Sequence, residues 1–171
     1  IIDAENGNVA DKLETSGPGV ITTLQFSPDD RHLVIGQRAG VLTCFSTSDW
    51  ATPAFEVSDI GDGINAAAFS PDSRVLAMAC SNESVQLFDL NTGDRTPWTI
   101  SVESEPLAVT FCEEGSVLAV GTSTGELQLW DVKTQTLRST IKAHTSRINA
   151  ISVFPDGTTL ASGGRDRLLQ L

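Results

Sequence analysis

No apolar run in this chain approaches the roughly 18 residues that a membrane-spanning helix needs, so no helical membrane span is expected. The start, Ile1-Ile2-Asp3, lacks the basic region and apolar core of a secretory signal. It also lacks an initiating Met, and the expectation is an excerpt of a longer polypeptide. Basic residues are scarce: 11 Lys and Arg stand against 22 Asp and Glu, a net charge of −11. Binding phosphate needs a basic surface, so nucleic acid is excluded as the expected partner. Only three cysteines occur, Cys44, Cys80 and Cys112, in apolar runs and without a Cys-x-x-Cys spacing. An odd count in such settings predicts buried free thiols in a reducing, cytoplasmic compartment. The two histidines, His32 and His144, are far apart. With no glycine-rich phosphate loop, metal-ligand spacing or Cys/His pair, no catalytic, metal-binding or cofactor-binding residue is expected. The adjacent acids Asp29-Asp30 and Glu113-Glu114, together with Asp72 and Asp156, fall where turns are expected and read as solvated turn carboxylates. Glycine and proline are too few for a collagen-like or disordered chain, and 40% hydrophobic content suits a packed interior.

The chain does contain a repeat. The blocks LQFSPDDRHLVIG (24–36), AAFSPDSRVLAMA (67–79), VTFCEEGSVLAVG (109–121) and ISVFPDGTTLASG (151–163) align on Phe26, Phe69, Phe111 and Val153, spaced 43, 42 and 42 residues apart. A second landmark lies in VLTCFS (41–46), VQLFDL (85–90) and LQLWDV (127–132), where Phe45, Phe88 and Trp130 each fall 19 residues beyond their anchors. The ends keep this register. Ile1-Ile2-Asp3 aligns with Leu129-Trp130-Asp131, and Leu168–Leu171 aligns with Glu126–Leu129.

Each unit consists of short apolar runs separated by turn residues, the signature of strands. Ser-Pro-Asp at 27–29 and 70–72 and Pro-Asp-Gly at 155–157 are tight-turn formers, because proline presets φ while Asp and Gly tolerate the remaining turn conformations. Short polar stretches at 37–40, 81–84, 123–125 and 164–167 make the next connection. A third turn falls at Asn6-Gly7, Thr92-Gly93 and 133–135. No segment shows helical periodicity over ten residues. The fold class is therefore all-β, with four-stranded antiparallel sheets that pack radially.

The motifs Leu127-Gln128-Leu129-Trp130-Asp131, the Phe-Ser-Pro-Asp turns and Leu160–Asp166 resemble the WD-repeat family of β-propellers over essentially the whole chain. The resemblance implies about four blades' worth of an arc, part of a ring of about seven blades. Residues 1–16 would supply the outer strand of a preceding blade. Residues 17–58, 59–101, 102–143 and 144–171 would be successive blades, the last incomplete. Further blades are expected upstream, downstream or both. The family pattern also implies a hydrogen-bonded structural tetrad, of which His144, Ser162 and Asp166 match three members. A His/Ser/Asp set resembles a hydrolase triad too. However, the repeat equivalents of Ser162 are Ile35, Met78 and Val120, and there is no nucleophile-elbow pattern, so the reading is structural. The His144 position holds Gly17, Ile60 and Val102 elsewhere, and the Asp166 position holds Ala39, Asn82 and Thr124. Only the last unit can form the tetrad.

The resemblance further implies that two loop sets share one partner-binding face, carrying Arg38, Ser81, Ser123 and Arg165 from one set and Gly63, Glu105 and Arg147 from the other. Residues 131–171 carry a net +3 against −14 for the first 130, which points the basic end towards an acidic protein or peptide partner. Trp50 and Trp98 are placed between neighbouring blades. The expected function is a non-catalytic protein-interaction scaffold. A second reading makes the chain an accessory propeller of an enzyme, such as a kinase or peptidase, whose catalytic domain lies elsewhere.

Overall fold

The computed structural model describes residues 5, 7–9, 12–16, 19–58, 60, 63–92 and 94–171. The alignment of Ile1–Asp3 with the Trp130 motif, Asn6 and Gly93 of the third turn, and Gly17 at the His144 position lie outside these residues.

Four antiparallel sheets succeed one another along the chain, each ordered by sequence. The first holds β1 (Ile21–Phe26), β2 (His32–Gln37), β3 (Leu42–Ser46) and β4 (Asp49–Val57). The second holds β5 (Ile64–Phe69), β6 (Val75–Cys80), β7 (Ser84–Asp89) and β8 (Asp94–Ser101). The third holds β9 (Pro106–Cys112), β10 (Val117–Thr122), β11 (Glu126–Asp131) and β12 (Thr136–Lys142). The fourth has three strands, β13 (Ile148–Val153), β14 (Leu160–Gly164) and β15 (Leu169–Gln170). The first strands β1, β5, β9 and β13 lie side by side in that order, forming the inner wall of an open propeller arc.

The turns explain the strand boundaries. Ser27 Oγ donates to Asp29 Oδ1 (2.6 Å), whose oxygen also accepts the Arg31 N–H (3.1 Å), while the His32 N–H donates back to Ser27 Oγ (2.9 Å). The same three bonds recur at Ser70, Asp72, Arg74 and Val75 (2.6, 3.1 and 2.9 Å). A short side chain thus satisfies the turn's own amides and ends the strand at a fixed residue. In the third unit Glu113–Gly115 replaces this device with a single 3-10 turn.

Sheets are joined by burying an apolar residue of one fourth strand under the next sheet. Phe55 and Val57 of β4 pack against the cluster of Leu76, Met78 and Phe88. Trp98 and Ile100 of β8 belong to the cluster of Phe111, Leu118 and Val120. Leu13 takes the same role against Leu33, Ile35 and Phe45, with Trp50 packed beside it. Full burial of such a side chain contributes about 1.5–3 kcal/mol, and the half-buried Phe55, Val57 and Leu13 contribute less. The series breaks at the third junction, where Ser139 stands opposite Leu129 as Phe55 stands opposite Cys44. There a groove of about 570 Å³ runs beside Leu127, Leu129, Ile141, Leu160 and Leu171.

Small side chains also bridge the sheets. Thr22 Oγ1 donates to the Ile64 carbonyl, and Asn65 Nδ2 to the Pro106 carbonyl (2.9 Å). The arc's leading side is uncovered. Leu24 is 55% exposed, whereas Ala67 and Val109, at the same repeat position, are 5% and 7% exposed.

Candidate interaction face

In an antiparallel sheet the loop after the second strand and the segment before the first strand lie at the same end. Here backbone hydrogen bonds tie those two loop sets together unit by unit. The Arg38 N–H donates to the Val20 carbonyl (2.9 Å), Ser81 to Gly63 (2.8 Å), Ser123 to Glu105 (2.8 Å) and Arg165 to Arg147 (2.9 Å). The residues that sequence reasoning assigned to two loop sets are therefore paired neighbours in space. Ser81 Oγ adds a bond to the Gly63 carbonyl (3.1 Å). Arg38, Ser81, Arg147 and Arg165 are exposed, while Glu105 and Ser123 are half-buried.

The fourth unit braces its part of this face with buried polar groups. His144 precedes β13, Ser162 lies within β14, and Asp166 sits in the turn into β15. His144 Nδ1 is 2.9 Å and 3.1 Å from the Asp166 carboxylate oxygens, and its Nε2 is 3.0 Å from Ser162 Oγ. An ionised carboxylate only accepts, so Nδ1 donates. Asp166 also accepts the N–H groups of Thr145 (3.0 Å) and Leu168 (3.1 Å). Burial works to raise the Asp166 pKa, but the His144 bond and these amides outweigh it and hold the carboxyl below its ordinary range. Two glycines make the cluster possible. A Cβ on Gly164 would lie 2.5 Å from His144 Nδ1, and one on Gly125 (φ +88°) would lie 2.3 Å from the His144 carbonyl oxygen. Ser162 is largely buried, and this trio ties the segment before β13 to β14 and the turn after it.

Sequence reasoning missed the third unit's substitute for the tetrad. Ser104 Oγ lies 3.1 Å from Thr124 Oγ1, which lies 3.0 Å from Thr122 Oγ1. Those hydroxyls stand at the repeat positions of Ser146, Asp166 and Gly164, and that hydroxyl content was the available signal. It also missed Thr22, Asn65, Leu107 and Asn149, spaced 43, 42 and 42 residues apart, which border a cavity of about 370 Å³ with Arg38 and Arg147. A second cavity of about 380 Å³ opens beside Phe26, Phe69, Phe111 and Val153. The two mark opposite ends of the channel lined by the first strands.

The opposite rim, at the Asp turns, carries paired charge. Arg31 and Arg74 each reach 4.0 Å from Asp29 and Asp72, and Arg138 bridges Glu113 and Asp131 at 2.8 Å each. Asp131, accepting the Thr134 N–H and held by Arg138, has its pKa lowered to about 2.

Repeated antiparallel sheets and shared turn chemistry are similar to those of WD-repeat proteins, and residues 56–89 and 135–171 match the family model described as "WD domain, G-beta repeat". Each matched stretch begins in or just before the fourth strand of one sheet and continues into the next, so one matched stretch is shared between two sheets. The chain is also 26% identical over 175 residues to "Transducin beta-like protein 3" of Bos taurus, an alignment covering 98% of the chain and 21% of that relative. The chain thus spans about a fifth of the length of the curated relative it matches.

Proposed function

We propose that this chain acts as a non-catalytic scaffold that presents the paired-loop face to a protein or peptide partner. WD repeats generally mediate contacts between proteins, and the observation that carries the reading is the loop pairing. Four equivalent backbone bonds fix the loops, while their side chains, Arg38, Ser81, Arg147 and Arg165 among them, project to solvent. A rigid frame with outward side chains lowers the ordering cost of binding. Capture of proteins on the immobilised chain, compared with its Arg147→Glu/Arg165→Glu variant, tests this. Loss of interactors in that variant, but not in Arg31→Glu/Arg74→Glu at the opposite rim, is expected. An unchanged set in both refutes the assignment of the face.

The reading includes further units of the same kind, with residues 1–16 supplying the outer strand of a preceding blade and 17–58, 59–101, 102–143 and 144–171 forming successive blades. Leu13, packed as Phe55 and Trp98 are packed, supports the first part. The exposed Leu24 and Phe26 on β1 support an additional unit before it, and such open apolar faces favour association. A stable monomer of the 171 residues in sedimentation would count against it. A reducing compartment fits the three buried free thiols. Burial raises the pKa of Cys44 to about 12, which suppresses thiolate chemistry.

A further inference from the structure

The channel mouth on the paired-loop face is bordered by Arg38 from the first unit and Arg147 from the fourth, with Asn65, Leu107 and Asn149 between them. No acidic residue is among its lining. Glu105 occupies the repeat position of Arg147 in the third unit, but its carboxylate accepts from Asn65 Nδ2 (3.0 Å) and does not border the cavity. The Asn149 side chain has no hydrogen-bond partner among the described residues, and neither guanidinium has a carboxylate within reach there. The contrast with the opposite rim is sharp. Arg31, Arg74 and Arg138 are all paired at the Asp-turn end, whereas Arg38, Arg147, Arg165 and Arg167 at this end are unpaired among the described residues. An acidic chain has many carboxylates to spare, yet leaves these arginines without one.

We propose that the mouth receives a carboxylate side chain from an acidic segment of a protein partner, held between Arg38 and Arg147 with the Asn149 amide as a third donor. The proposal rests on the scaffold reading and names the chemistry its face selects. A guanidinium binds a carboxylate through two parallel N–H bonds, so two of them bordering one mouth select an oxyanion over a neutral amide. At about 370 Å³ the cavity is near the small end of ligand sites, which run from about 300 to 1,000 Å³. It suits one or two side chains. Leu107 and Ile21 supply apolar wall for the methylenes of a glutamate.

Oligoglutamate and oligoglutamine peptides of equal length, titrated at low ionic strength into the nitrogen-15-labelled full chain, provide the test. The Nε–Hε signals of Arg38 and Arg147 should move with oligoglutamate alone, while those of Arg31 and Arg74 stay in place. Arg38→Ala and Arg147→Ala should each weaken binding about tenfold or more, with Arg→Lys losing less. Far-ultraviolet circular dichroism verifies that each variant is folded. Equal binding of oligoglutamine, or unchanged affinity in both alanine variants, overturns the proposal. The scaffold reading is decided separately, by protein capture with Arg165→Glu alone, because Arg165 does not border the mouth. Capture that depends on Arg165 while oligoglutamate ignores the mouth would remove the carboxylate receptor and leave the scaffold standing.

Discussion

Replacing Trp98 with alanine removes a large buried side chain at the junction between the second and third sheets. Trp98 is only 8% exposed and shares a cluster with Ile100, Phe111, Leu118 and Val120. Truncating such a residue costs the lost transfer energy plus the cavity it leaves, about 3–5 kcal/mol. That is a large part of the roughly 5–15 kcal/mol that holds a domain together. Because a repeat array is coupled mainly through neighbouring units, the loss falls on one junction. Urea unfolding monitored by far-ultraviolet circular dichroism should show a lower midpoint, and a shallower or two-step transition as the halves uncouple. Trp50→Ala is the internal comparison. Trp50 is half-buried beside the first sheet's Leu33, Ile35 and Phe45, and its loss should cost about 1 kcal/mol with the transition still single. Equal effects of the two substitutions, or a Trp98→Ala cost below about 1 kcal/mol, would refute the claim that fourth-strand residues join the sheets.

Ser139→Phe should do the reverse at the third junction, raising stability by about 0.5–2 kcal/mol by filling the groove beside Leu129 and Ile141; a lower urea midpoint would reject it. Ser162→Ala leaves His144 Nε2 enclosed without its partner, and a loss of about 1–3 kcal/mol is expected in the same assay. Acid sensitivity arises from the depressed carboxyls. Asp29, Asp72, Asp131, Asp156 and Asp166 all have lowered pKa values in the folded chain, with Asp131 at about 2. Their stabilisation is present above the unfolded carboxyl value of about 4 and is lost as pH falls through the folded values. Urea midpoints should therefore fall steadily between about pH 4 and pH 2, and Asp131→Asn should flatten that fall; an identical slope in the variant would remove Asp131 from the account.

Much of the fold was legible because it is written four times. The anchors Phe26, Phe69, Phe111 and Val153 and the Ser-Pro-Asp turns mark strand ends through local chemistry, since proline and a self-bonding Asp act within a few residues. His144, Ser162 and Asp166 were named through the resemblance to the family pattern, which the other three units do not match at these positions. Less legible was how neighbouring units meet. Pairing across the loops brings Arg165 beside Arg147, and the curvature of the inner strands brings Arg147 and Arg38, 109 residues apart, to one cavity. The hydroxyl link of Ser104, Thr124 and Thr122 also escaped notice, because no single residue type marks it.

By itself the sequence determined the repeat, the all-β class and the turns, because these depend on residue type and on spacings within a unit. Only the tertiary structure decided which arginines are paired and which stand open, and which junction is plugged by Phe55 or Trp98 and which is left with Ser139. Those outcomes depend on side chains from different sheets meeting in space, and the distance between them is set by the packing of whole units.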